Sequence, residues 1–413
     1  MPQFLKVKTA EEVLEILEQI EPLETEVVDL NSACGRVLSA NAPAAEPVPH
    51  FNRATMDGYA VRAGDTFGAS EALPAFLEIA GEVSMGETAA MSVGRGQAVA
   101  VPTGGMLPAG ADAVVMVEYT SNLDEKTIEV TKPVAPGDNV LQIGEDIREG
   151  ETLFDIGWRL RPQDIGILAA LGVTAVSVYR RPRAAIISTG DEIVPAETDR
   201  VPPGKIRDIN SFTLSSQIRE AGGVVGMREV VVDRLDLLVS ACLEALENHD
   251  VLLLSGGSSV GVRDYTLDIL EHIPNANLLV HGIAVRPGKP TILARVGRKL
   301  FWGLPGQPVS AMMIFRAFVI PSLSFLQGQR KTGDAAGAAV RATLNRRLPS
   351  VQGRTDYIPV IVSSEEGAFL ATPIFGKSSM IGILARADGY VIIPERVEGL
   401  EEGTEVVVNL FSQ

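Results

Sequence analysis

The sequence predicts a multidomain α/β protein. A doubly wound, mostly parallel sheet forms its centre, with a β-rich module before it and a small β domain after it. Three observations lead there. The chain has 413 residues, enough for two to three domains at roughly 150 residues each. Between Arg183 and Gln327, strand-like and helix-like segments alternate, as they do when helices cover a parallel sheet. Before and after that segment, short apolar runs separated by Gly and Pro turns dominate, which is the text of small β modules.

A helix opens the chain. Thr9 and Glu12 stand at capping-box spacing, and Val13, Ile16, Leu17 and Ile20 fall on one face before Pro22 ends the run. From Ala42 to about Val140, runs such as Ala98–Val101 and Ala113–Val117 alternate with turns, and residues 141–179 return to a mixed α/β text. In the centre, Ala184–Ser188 predicts a buried strand, Ser211–Ala221 a helix closed by Gly222 and Gly223, and Val224–Val232 a strand. Leu235, Leu238, Val239, Cys242, Leu243 and Leu246 form an amphipathic stripe, which places Cys242 in the core. Val251–Leu254 and Leu278–Val285 predict further strands. The apolar stretch Pro308–Leu326 is interrupted by Arg316 and Pro321. A membrane span needs about 20 uninterrupted apolar residues, so the stretch predicts a buried helix. Residues 338–413 show short strands and almost no helical period.

Composition narrows the function classes. Net charge is −16, with 5% aromatic residues, a poor match to nucleic acid or an anionic membrane. Cys34 and Cys242 lie far apart; they form neither a disulfide framework nor a zinc site, and a reducing cytoplasm is the expected setting. The first residues lack the apolar stretch of a secretory signal.

Chemistry is expected where strands of an open sheet end. Three small, turn-forming loops occupy that place: Ser188–Glu192, Ser255–Gly261 and Gly303–Pro308. Their backbone N–H groups favour an anion, phosphate above all. Gly257–Gly261 also matches the nucleophile elbow of hydrolases, but Ser259 lies too far beyond Leu254 for an elbow. Pro287-Gly288-Lys289-Pro290 is no Walker loop, because proline stands where Ser or Thr is required. The histidines 50, 249, 272 and 281 share no metal-ligand spacing. Acidic residues beside turns form a larger set: Asp57, Asp146, Asp191, Glu192, Asp208, Asp233 and Asp264. Near phosphate loops they suit a hard cation such as Mg²⁺. The cations able to meet an oxyanion are Arg286, Lys289 and Arg354.

Seven motifs then stand in one order. They are Thr55–Val61, Pro102–Gly104, Gly144–Ile147, Ser188–Glu192, Ser255–Gly257 with Asp264-Tyr265, Pro287–Pro290 and Gly303–Gly306. As a set, spanning essentially the whole chain, they resemble the molybdopterin molybdenumtransferase family, MoeA type, which includes the C-terminal domain of gephyrin. The resemblance implies a split first domain (1–46 with 141–179), an inserted β-rich domain (47–140), a molybdopterin-binding α/β domain (180–327) and a C-terminal β-barrel-like domain (335–413). It implies a cytoplasmic homodimer that takes adenylylated molybdopterin and molybdate or tungstate, uses Mg²⁺ and releases AMP. An adenylyltransferase of the same pathway would be a partner. By motif match, Asp57, Thr103, Asp146, Glu192, Asp233 and Asp264 are the catalytic candidates, with Asp57, Asp146 and Glu192 for the metal. Ser255, Gly256 and Gly257 would face the nucleotide phosphate, with Pro305 and Pro308 in the adjoining loop. Arg286, Lys289, Pro290, Ser310, Arg354 and Ser379 would form the oxyanion pocket. Two residues depart from the family pattern: Arg286 stands for lysine and Gln307 for asparagine. Adenylyl transfer, carried out by a related single-domain fold, and receptor scaffolding are the competing expectations.

Overall fold

The computed structural model describes residues 7–256, 265–329, 338–365 and 367–411. Two compact units result: Met1–Ala40 with Ile156–Arg161 and Val176–Gln413, and Asn41–Asp155 with Pro162–Ala175.

The first unit is built on a six-stranded sheet. Its order is Val224–Val231, Arg183–Thr189, Val251–Ser255, Lys299–Leu304, Ile292–Val296, Ala276–His281. The first four strands pair in parallel, and Ile292–Val296 runs against both of its neighbours. Side chains of Arg183–Thr189 alternate between two cores. Ala184 and Ile186 meet Leu214, Ile218, Phe315 and Phe318 on one face, while Ala185 and Ile187 meet Leu238, Cys242 and Ile269 on the other. Both faces are therefore dry, and each fully buried Leu, Ile or Phe contributes about 1.5–3 kcal/mol. The chain leaves Arg183–Thr189 through helix Asn210–Glu220 to one neighbour, then returns through helix Leu235–Asn248 to the other. That reversal makes the carboxyl ends of Arg183–Thr189 and Val251–Ser255 a topological switch point.

The helices follow their sequence signals with informative exceptions. Thr9 caps Ala10–Glu18: its N–H donates to Glu12 Oε2 (2.7 Å) and Glu12 N–H donates to Thr9 Oγ1 (3.1 Å). In Leu235–Asn248 the buried face is Leu238, Ala241, Cys242, Ala245 and Leu246, whereas Leu243 is exposed. The predicted stripe was one residue too wide. Pro308–Leu326 has the length and hydropathy of a membrane span, yet Phe315, Phe318, Val319 and Leu323 are fully buried in the core. It widens into a π-helical turn at Phe315–Val319. Pro321 supplies no N–H to the ladder, and the wider turn absorbs that loss.

Leu278–Val285 is not one strand. Ala276–His281 ends at Gly282, which has φ +91°. Val285–Arg286 then crosses to a second six-stranded sheet, pairing in parallel with Thr355–Glu365. That sheet closes on itself as a small barrel. Thr355–Glu365, Ala368–Pro373, Ala339–Leu344, Glu405–Leu410 and Gly389–Ile393 pair in turn, and the last pairs back with the first. Its core is Ala342, Leu344, Val360, Ala371, Val391, Ile393 and Val408.

The second unit carries a six-stranded sheet in the order Ala113–Met116, Gly58–Val61, Gln97–Val101, Ala75–Glu82, Thr127–Val130, Thr120–Asn122. Alternation again divides its apolar residues. Ala60, Val99 and Val114 pack on one side, and Val61, Ala98, Val115 and Ile128 on the other. Helix Pro162–Ala170 and strand pair Ala42–Pro43 with Thr152–Phe154 flank a smaller core of Ala44, Ile147 and Leu171.

Candidate functional site

The switch point of the first unit collects polar groups that buried parallel strands would otherwise exclude. Ser188 and Thr189 end their strand fully buried. Ser188 Oγ donates to Asp208 Oδ1 (3.1 Å), which also accepts the Ser211 N–H (3.1 Å) at the start of the next helix. Thr189 Oγ1 donates to Asp233. Asn210 Nδ2 donates to Ser255 Oγ (2.7 Å) and to the Gly306 carbonyl (2.9 Å), tying two loops to one helix start. Gly256 has φ +110°, and a Cβ there would stand 2.0 Å from the Thr189 carbonyl oxygen. Only glycine allows that approach. Glu192 is exposed and folds back over Gly190. Pro305 and Pro308 frame the turn from Lys299–Leu304 into helix Pro308–Ile314, and Ser310 is buried in its first turn.

A second cluster forms where the α/β sheet meets the barrel. Val285–Arg286 pairs with Thr355-Asp356. Asp356 is fully buried and faces two guanidinium groups. Arg354 Nε donates to Oδ1 (2.8 Å) and a terminal Arg354 nitrogen to Oδ2 (3.3 Å); an Arg286 terminal nitrogen lies 3.8 Å from Oδ2. The turn after Arg286 is tightly held. Ile283 N–H donates to the Lys289 carbonyl (2.9 Å), and Thr291 Oγ1 donates to the Gly288 carbonyl (2.7 Å). Gly288 has φ +107°, and a Cβ there would lie 2.3 Å from Ile314 Cγ1. Lys289 is exposed, with Pro290 closing the turn. Ser378 Oγ donates to Gln307 Oε1, and Val309 N–H donates to the Ser378 carbonyl (3.1 Å). These bonds dock the segment carrying the exposed Ser379 onto the start of helix Pro308–Ile314.

In the second unit, Asp57 is exposed at the turn before Gly58–Val61. Its Oδ1 accepts the Thr103 N–H (2.6 Å) and the Thr103 hydroxyl (2.9 Å). These two bonds, the backbone one first, hold the Asp57 carboxyl below the usual aspartate range. Asp146 is exposed on a segment that runs antiparallel to residues leading into Asp57, through Val140–Leu141 with Arg53–Ala54 and the Val48–Ile147 bridge.

Asp57, Thr103 and Asp146 thus share one unit, and Glu192, Asp233, Ser255 and Gly256 the other. Gly257 and Asp264 lie outside the described residues. Among the described residues, no three His, Cys, Asp or Glu side chains stand together as a metal cluster. Sequence reasoning missed Asp356 and Asn210. Arg354 and Asp356 are two apart at the start of a strand, so both point to one face; that spacing was the available signal. Asn210 resembles an ordinary helix-start residue and reveals its role only through its partners.

Three family models match most of the chain: "MoeA N-terminal region (domain I and II)" over residues 7–172, "Probable molybdopterin binding domain" over 185–324, and "MoeA C-terminal region (domain IV)" over 341–411. A Bacillus subtilis (strain 168) protein named molybdopterin molybdenumtransferase is 34% identical over 394 residues, covering 94% of this chain and 90% of that one. Two crystal structures of molybdopterin biosynthesis MoeA proteins from Pyrococcus horikoshii superpose along the chain. One has a TM-score of 0.84 at 33% identity, covering 98% of this chain and 100% of its own. The other has a TM-score of 0.79 at 38% identity, covering 99% and 100%.

Proposed function

The chain belongs to the molybdopterin molybdenumtransferase family, transferases of molybdenum cofactor biosynthesis, and from that premise we propose that it inserts molybdate into adenylylated molybdopterin with Mg²⁺-dependent release of AMP. One observation carries the reading. A single unit holds both a phosphate-friendly switch point and, where sheet meets barrel, two guanidinium groups on one carboxylate.

The division of labour follows from the residues. Ser255, Gly256 and the helix start at Asn210 would receive the nucleotide phosphate through short polar donors. Arg286, Lys289 and Arg354 would hold the incoming oxyanion, the arginines by paired N–H groups. Ser310 and Ser379 would add hydroxyl donors at the same place. By motif match Asp57, Asp146, Asp233 and Asp264 would be the carboxylates that act on substrate.

The donor set suits Mg²⁺. Asp57 is held ionised by Thr103 through only one of its oxygens. Mg²⁺ takes one or two carboxylates and completes its shell with water and phosphate oxygens, so a three-carboxylate cage is not required. By motif match Asp57, Asp146 and Glu192 are the candidate carboxylates, and the ion would neutralise phosphoanhydride charge. A homodimer with Asp57 serving the partner's site completes the proposal; Phe51, Met56 and Ile143, apolar and exposed on segments around Asp57, support it.

Purified protein given adenylylated molybdopterin, Mg²⁺ and molybdate should release AMP and yield metal-bearing cofactor. No AMP and no metal insertion overturns the proposal. ATP consumption with free molybdopterin would instead point to the preceding adenylyl transfer.

A further inference from the structure

We propose that Asp356 is the positioning residue of the oxyanion pocket, setting its selectivity by locking the Arg354 guanidinium fork and holding a second guanidinium, that of Arg286, close by. The inference rests on the molybdate reading above and deepens it. A fully buried carboxylate beside a ligand site needs a reason, because burying it is costly unless charged donors compensate it. Here the donors are two side chains expected to hold substrate. Arg354 grips Asp356 through two nitrogens, at 2.8 and 3.3 Å, and Arg286 approaches its Oδ2 at 3.8 Å.

The consequences for an anion are geometric. A guanidinium carries five N–H donors in a rigid plane, and Asp356 engages only part of each set. The remaining N–H groups of Arg354 keep a fixed direction, because its fork is locked to a side chain that cannot move. Arg286 belongs to the α/β domain's crossing strand and Arg354 to the barrel, and their backbones are in register through Arg286↔Asp356. Asp356 therefore fixes the Arg354 donors directly, and its backbone pairing with Arg286 brings the second guanidinium beside them. A fixed spacing distinguishes oxyanions by their oxygen–oxygen distance, which is larger in molybdate than in sulfate. Asp356 also offsets part of the pocket's positive charge. Charge removal alone and loss of positioning thus predict opposite signs for a neutral substitution. Without the carboxylate's charge the anion would bind more tightly; without its grip the anion would bind more weakly.

The test uses the full chain with Asp356→Asn, measuring molybdate binding by equilibrium dialysis, AMP release against molybdate concentration, competition by sulfate, and Tm. Half-saturating molybdate should rise about tenfold, the worth of a charged hydrogen bond. Maximal turnover should stay within about twofold if only binding geometry is lost. Sulfate should compete better against the variant than against the parent. Arg354→Lys, which keeps the charge but not the fork, should behave alike, and the double variant should be no worse than either single one. Arg354→Lys carries the same test if Asp356→Asn does not fold. Unchanged or tighter molybdate binding, or a loss confined to turnover, overturns the inference alone. A parent protein that binds no molybdate overturns the pocket reading with it.

Discussion

Asp57 and Thr103 show what two hydrogen bonds do to an exposed carboxylate. Thr103 lowers the Asp57 pKa first through its backbone N–H and then through its hydroxyl. A group with a depressed pKa stays charged as pH falls, so activity that needs this carboxylate should persist into mild acid. Thr103→Ala removes the second donor only, and the acid limb of the pH–rate profile should move to higher pH. Asp57→Asn should reduce turnover on the order of 100-fold or more at neutral pH, with the gap narrowing along the acid limb where the parent's own carboxylate becomes protonated. The two cysteines make a second residue-scale contrast. Burial pushes the Cys242 thiol up to about 12, whereas Cys34 is exposed. A thiol reagent should titrate one group in the folded chain and two after denaturation; two in the folded chain would contradict the burial of Cys242. Its placement was legible from helical spacing alone. Asp356 offered only its two-residue spacing from Arg354; its burial depends on Arg286, a partner far back along the chain.

The elements themselves were largely legible, since periodicity and punctuation are local. Thr9 and Glu12 announced a capping box, and Val251–Leu254 announced a strand buried on both faces. What failed was the join between them and distant partners. Leu278–Val285 is continuously apolar apart from His281 and Gly282, yet its last residues pair with a strand far along the chain. No local period records that. Leu243 failed for a similar reason, since small Ala241 and Ala245 let neighbouring elements approach on their side instead. Arg180 illustrates how a connection is fastened. It donates to both oxygens of Asp250, at 2.7 and 2.8 Å, and to Glu24 at 2.7 Å. Burial raises the Asp250 carboxyl, but the Arg180 and Arg183 donors outweigh it and hold it below the usual range. Arg180→Ala should cost about 2–3 kcal/mol at neutral pH in urea unfolding. The deficit should shrink as pH falls through the lowered pKa of Asp250, because the parent loses the same pair there.

Across the whole molecule, a net charge of −16 accompanies proposed substrates that are all anions. Their capture cannot come from the average field and must be local. The arrangement around Asp356 shows how few cations that takes. Lys289→Gln should therefore raise half-saturating molybdate about tenfold, whereas Lys126→Gln, an exposed lysine on the β-rich unit, should leave it unchanged. Equal effects in the AMP-release assay would contradict a local pocket.

The crossing strand Val285–Arg286 also has a temporal meaning. Its hydrogen-bonding partner, Thr355–Glu365, is synthesised after the entire α/β sheet. A nascent chain can therefore complete its α/β sheet while the proposed oxyanion pocket is unfinished, because Arg354, Asp356 and Ser379 are still to be translated. If the proposed pocket holds the oxyanion, chain order leaves its capture to molecules whose barrel has been translated.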